Sequence, residues 1–89
     1  MIPYHERHSY RPQPIRFMRP SYVGELKELP QTKLATRVVV WDDGTQSVDL
    51  GFCTFRRTHE EWGYFVRFPA YRLEEALALL EQAKRDVLR

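Results

Sequence analysis

In the stretches 48–52 and 62–68, apolar residues occupy every second position; from Leu73 to Val87 they recur every third or fourth. The first spacing is that of a strand with one covered face, the second that of an amphipathic helix. "ATRVVVW" (35–41) is dense in β-branched residues and reads as a strand. "DDGT" (42–45) is a hairpin turn, with Gly44 free to take the positive φ that such turns need. "QSVDLGFCTFR" (46–56) alternates, with Val48, Leu50 and Phe52 on one side and Asp49, Gly51, Cys53 and Phe55 on the other. "RTHEE" (57–61) is a charged loop, and "WGYFVRF" (62–68) is the third clear strand. By simple alternation Trp62, Tyr64, Val66 and Phe68 share a face, opposite Phe65 and Arg67.

Pro69 then opens a helix, at a position where its missing N–H costs nothing. Glu74 and Glu75 near the helix start and Lys84 and Arg85 near its end suit the helix dipole. Leu73, Ala76, Leu77, Leu80, Ala83 and Val87 form an apolar stripe, with Leu79 and Leu88 at its edges. The chain therefore predicts an α+β fold: an antiparallel sheet of three to four strands, then one long C-terminal helix packed on the face that carries Val48, Leu50, Phe52, Tyr64, Val66 and Phe68. The stripe is wider than one sheet needs, which predicts a homodimer through the helix and a sheet edge.

Upstream of these elements the pattern weakens. Pro3, Pro12 and Pro14 predict an extended arm over residues 1–14, leaving 15–89 as a single domain. "PIRFMRP" (14–20) reads as a short edge strand. "SYVGELKELP" (21–30) fits two turns of helix or a strand, and the pattern does not choose. Charge sharpens the picture of the arm. Residues 1–20 carry four arginines against one glutamate, a balance of +3, whereas residues 21–89 carry ten bases against eleven acids, a balance of −1.

Several chemistries lack their residues. The single cysteine, Cys53, allows no internal disulfide and no zinc site of the CxxC type, and points to a cytoplasmic, reducing setting. His5 with His8, or His59 with Glu60, fall short of three or four metal ligands at a known spacing. There is no glycine-rich phosphate loop, and Cys53 with His59 has no third orienting group. No catalytic residue, metal or cofactor is expected. No apolar run is long enough to span a bilayer, so no membrane role is expected either.

What remains is the face opposite the expected helix. If Val38 and Val40 turn toward the helix, Arg37 and Trp41 turn away, beside Phe55, Phe65 and Arg67. Rings interleaved with arginines suit single-stranded nucleic acid: bases stack on the rings and guanidiniums meet phosphates. Arg57 in the loop and Arg7, Arg11 and Arg16 on the arm would extend a phosphate track. The competing expectation is that residues 15–30 or a second subunit cover this face, since soluble chains seldom expose large apolar patches.

At "GYFVRFPAYRLEEALALLEQ" the chain resembles the end of a Pur repeat, with a strand, a Pro-Ala step and an amphipathic helix. The resemblance spans about residues 36–88 and takes in the "VVVWDDGTQSVDL" hairpin and the "FRRTHEEWGYF" loop and strand. It implies the plan shared by Pur repeats and transcriptional positive-cofactor proteins: four antiparallel strands followed by a helix, dimers or paired repeats, and single-stranded DNA or RNA bound on the sheet. The fourth strand would come from residues 15–26. Trp41, Phe55, Phe65, Arg37 and Arg67 would be the contacts, in a transcription or replication accessory. "GYFVRFP…LEEALALLEQAK" is also similar to a segment of HicB-type antitoxins, which implies instead a small adaptor or inhibitor that docks on a larger protein.

Overall fold

The computed structural model describes residues 14–89, with side chains from Arg16 onward. Five strands precede one helix: β1 (Pro14–Phe17), β2 (Ser21–Tyr22), β3 (Gln31–Trp41), β4 (Gln46–Phe55), β5 (Glu60–Pro69), a 3-10 turn (Ala70–Arg72) and α1 (Leu73–Val87). All pairings are antiparallel in the order β1-β3-β4-β5, and β2 also pairs with β3. The fold is α+β. The extra strand expected from residues 15–26 is there in two pieces, β1 and β2, placed one after the other along the same edge of β3. Residues 21–30 therefore contribute a short strand and then bends, with Gly24 at φ 85° where the chain turns.

The β3–β4 hairpin closes as its sequence predicts. Gly44 sits at φ 88°, its N–H donates to the Trp41 carbonyl at 2.9 Å, and the Trp41 N–H donates to the Thr45 carbonyl at 2.9 Å. That is a turn followed by a left-handed residue, a common three-residue hairpin loop. The Asp43 carboxylate caps it, accepting from the Thr45 backbone N–H (2.9 Å) and hydroxyl (2.6 Å). Those bonds, the hydroxyl's first, hold the Asp43 carboxyl below its ordinary pKa.

The two faces of the sheet differ sharply. One, here the inner face, carries Ala35, Arg37, Val39 and Trp41 of β3 and Ser47, Asp49, Cys53 and Phe55 of β4. Ala35, Val39, Ser47, Asp49, Cys53 and Phe55 on it are all buried. Tyr22, Leu26 and Trp62 pack over Ala35, Cys53 and Phe55 and seal that end. Trp62 reaches this face because of a bulge: Gly51 pairs with Phe65, but Cys53 pairs with Trp62, so β5 carries one extra residue there. Simple alternation had placed Trp62 with Tyr64, Val66 and Phe68; the inserted residue moves it across the sheet.

The other, outer face holds Leu34, Val38, Leu50, Phe52, Val66 and Phe68, and within the subunit it lies largely open. Phe52 and Val66 are each 55% exposed. The expectation that α1 would cover this face is corrected: α1 buries none of its residues. Only its first turns come near the sheet, with Ala76 and Leu79 lining a shallow groove beside Phe68. The buried residues lie on the inner face, with Tyr22 and Leu26 over the Ala35, Cys53 and Phe55 end, and not beneath the helix. No helix among the described residues is long and apolar enough to cross a membrane.

Candidate nucleic-acid interface

Three adjacent strands place Arg37, Asp49 and Arg67 side by side, because Arg37 pairs with Asp49 across β3–β4 and Asp49 with Arg67 across β4–β5. Asp49 has no exposed side-chain surface. Its carboxylate accepts from Arg37 Nε at 2.7 Å and from Arg67 Nε and Nη2 at 2.6 and 3.0 Å. Burial by itself pushes the Asp49 carboxyl up, but the hydrogen bonds and charges of Arg67 and Arg37 outweigh it and leave the group below its ordinary range. Arg67 in turn is held above its ordinary range, chiefly by its bond to Asp49. One carboxylate between two guanidiniums leaves the cluster with a net positive charge.

Aromatic rings enclose both cations. The Arg37 guanidinium lies 4.3 Å from the Trp62 ring centre, 5.1 Å from Phe65 and 5.2 Å from Phe17. Arg67 lies 5.0 Å from the Trp41 ring and 5.5 Å from Phe65. These are cation–π distances. Phe65 thus stands between the two cations, and it meets Trp62 edge to face at 6.2 Å. The Trp41 indole N–H donates to Ser47 Oγ at 2.9 Å, which fixes the plane of the indole.

Beside this cluster the inner face stays open. At the hairpin end of the sheet a cleft of about 770 Å³ is lined by Trp41, Phe65, Pro69 and Tyr71 on its apolar sides and by Ser47, Gln46, Thr45 and Asp43 on its polar sides, with Arg67 among them. Arg67 has five N–H donors and commits two to Asp49, so donors remain for a ligand. Flat rings next to spare guanidinium donors can stack a planar heterocycle and hold an anion beside it.

The residues expected at the interface divide accordingly. Trp41, Phe65 and Arg67 come together in the cleft, and Arg37 stands behind Phe65. Phe55 is not displayed with them. It is 6% exposed, its ring 4.8 Å from that of Tyr22, and it belongs to the core. The expectation that Trp41, Phe55 and Phe65 form one open row is corrected: the segment after β2 crosses over Phe55. That segment is pinned by bonds from Lys33 Nζ to the Val23 carbonyl (2.8 Å) and from the Lys27 N–H to Gln31 Oε1 (2.8 Å). Arg57 lies in the β4–β5 loop, at the far end of the sheet from the hairpin. Arg16 pairs with Val40 and so shares the outer face. Arg7 and Arg11, and the rest of the basic arm up to residue 13, lie outside the described residues.

Sequence reasoning missed Tyr71, Pro69, Ser47 and Asp49 as members of the site. The Asp49 signal was present: parity sets it on the face of Arg37 and Arg67, and an acid between two arginines on adjacent strands is an ion cluster. Tyr71 had no such signal, because it lies in the 3-10 turn that links strand to helix, where neither periodicity applies. Cys53 is buried, and burial first, then the nearby Glu60 charge, pushes its thiol up, so it stays a protonated packing residue. Among the described residues no three His, Cys, Asp or Glu side chains gather as metal ligands.

Fold and site together define a class: a single antiparallel sheet with a C-terminal helix, carrying an aromatic and arginine cleft at its hairpin end. Comparison with protein-family models, curated proteins and solved structures gives no match.

Proposed function

We propose that this chain is a dimeric, non-catalytic module that binds single-stranded DNA or RNA, serving as an accessory in transcription or replication, as its resemblance to Pur repeats implies. The cleft carries the proposal: Trp41, Phe65 and Tyr71 offer ring faces, and Arg67, 5.0 Å from the Trp41 ring, offers a cation with donors to spare. A base stacks against the rings while a neighbouring phosphate meets Arg67. The charges of Arg7 and Arg11 add to the attraction for a polyanion and to its salt dependence. The homodimer is supported by the helix, whose apolar stripe is buried by none of the described residues.

Titrating labelled oligo-dT at low salt and following fluorescence anisotropy tests the proposal. Binding in the micromolar range or tighter is expected, weakening as salt rises. Trp41→Ala and Phe65→Ala should each reduce affinity about 5- to 150-fold, from the roughly 1–3 kcal/mol that one stacked base contributes. Phe55→Ala should instead lower thermal stability, because that ring is in the core. Affinity no better than millimolar for the wild-type chain would rule the reading out.

The open outer face also favours a second reading, in which the chain is an adaptor or inhibitor seated on a larger protein. Retention of a protein partner from nuclease-treated lysate, with no oligo-dT binding, would select it.

A further inference from the structure

Among the described residues two apolar surfaces lack a partner, and their shapes match. The outer face of the sheet is broad. From Leu34 to Val40 on β3, Val48 to Thr54 on β4 and Tyr64 to Phe68 on β5, no residue turned to that side carries a charge. Absence of charge from the centre of a patch marks the core of an interface. The second surface is the α1 stripe, where Leu77 is 61% and Leu80 51% exposed. A helix of 15 residues with no buried residue is marginal by itself, since most helical stability in proteins comes from packing an apolar face.

The chain gives α1 little chance to cover its own sheet. Pro69 ends β5, and the three residues Ala70–Arg72 wind directly into the helix, so only the first turns stay beside Phe68. Leu79, at the edge of the stripe, still lines the groove beside Phe68, while Leu77, Leu80 and Val87 are each more than half exposed. We propose that α1 of one copy lies across the outer sheet face of a second copy, and that the second copy returns its helix in the same way. The proposal rests on the reading of the chain as a homodimer and moves the contact from the sheet edge to the sheet face.

The dimensions agree. Fifteen residues make a helix about 22 Å long and about 10 Å wide. Strands of ten residues run about 33 Å, and β3, β4 and β5 together are about 10 Å across. Leu34, Phe52, Val66, Leu77, Leu79 and Leu80 are each more than half exposed, as are Tyr64, Val87 and Leu88. At roughly 100 Å² of apolar surface per side chain, these nine supply on the order of 900 Å² per copy, close to the 800 Å² that each partner gives to a stable interface. A two-fold exchange uses each surface once per copy, so nothing is left over to build a filament.

Sedimentation equilibrium of the wild-type chain without nucleic acid, and of two variants, tests this. Leu77→Asp with Leu80→Asp breaks the helix surface; Tyr64→Glu with Val66→Asp breaks the sheet surface. Both sets lie outside the core of the single subunit, and cooperative melting of each variant checks that its sheet is folded. Tyr64→Glu alone, at a residue 89% exposed, serves if the double sheet variant does not melt cooperatively. The wild type should be a dimer, and each variant should weaken it roughly a hundredfold. Mixing the helix variant with the sheet variant should restore a mixed dimer, because one helix–sheet contact is then intact. A monomeric wild type at all concentrations overturns both the homodimer and the exchange. Loss of the dimer in the helix variant alone, or in the sheet variant alone, overturns the exchange and leaves the homodimer standing.

Discussion

Asp49→Asn should lower the free energy of unfolding by about 3 kcal/mol, the lower end of the cost of leaving a buried charge without its partner. For a chain of this size that corresponds to a fall in Tm on the order of 15 °C. The side chain of Asp49 has no exposed surface and accepts three hydrogen bonds, from Arg37 and Arg67. Asparagine keeps the shape but loses the charge, and its amide N–H groups face guanidiniums that also only donate. Arg37 is the more enclosed of the two cations, with a side chain 17% exposed among Phe17, Trp62 and Phe65, so it has little water to turn to.

The same carboxylate gives the stability a pH signature. Its folded pKa is held below the unfolded value of about 3.9. Its contribution is therefore fully present above that value and is lost as pH falls through the folded one. Asp43 and Glu61 are also lowered, by the bonds from Thr45 and by those from His59 and then Arg56, and they add slope of the same sign. Calorimetry from pH 7 down to pH 3 should show the wild type losing more Tm than Asp49→Asn, with the two curves converging in acid. Parallel curves, or a loss below about 0.5 kcal/mol at pH 7 (the size of an ordinary surface substitution), would mean that the cluster does not hold the sheet together.

The strands of this protein were legible wherever one face is buried and the other is not. Along β4 the alternation is unbroken, and Val48, Leu50 and Phe52 do lie opposite Asp49, Cys53 and Phe55. The gathering of Arg37, Trp41, Phe65 and Arg67 on one face was legible for the same reason. What parity could not supply was which face the chain itself would cover. The residues that seal Phe55, Tyr22 and Leu26, come from a segment whose pattern fits either helix or strand. Nor does alternation survive an inserted residue, and the bulge in β5 carried Trp62 to the inner face. The helix was legible as a helix, from its 3.6-residue period, but a period records only that a stripe will be covered. It does not record which molecule covers it.

Gly51→Ala should be the most damaging single-methyl change in the chain, costing about 3 kcal/mol or more by overpacking and weakening ligand binding as well. Gly51 pairs with Phe65 on the inner face. A Cβ built at this position would meet the Tyr64 carbonyl oxygen, the Phe65 Cβ and the Phe65 Cα at impossibly close range. Two of those three atoms are backbone, so no rotamer change relieves the contact, and β5 must move away from β4 beside its bulge. The displaced residue is the ring that stands between Arg37 and Arg67 and walls the cleft. Gly51 is thus a positioning residue: its missing side chain sets where Phe65 stands. Gly63 is the informative comparison, since its nearest neighbour, the Phe52 carbonyl oxygen, lies at an ordinary 3.8 Å. Gly63→Ala should therefore leave both Tm and oligo-dT affinity close to wild type. Gly51→Ala should lower both together, and adding Phe65→Ala to it should cost little further affinity, because the ring has already left the cleft. A stable Gly51→Ala chain with wild-type affinity would separate the β4–β5 contact from the site and remove this account of how Phe65 is placed.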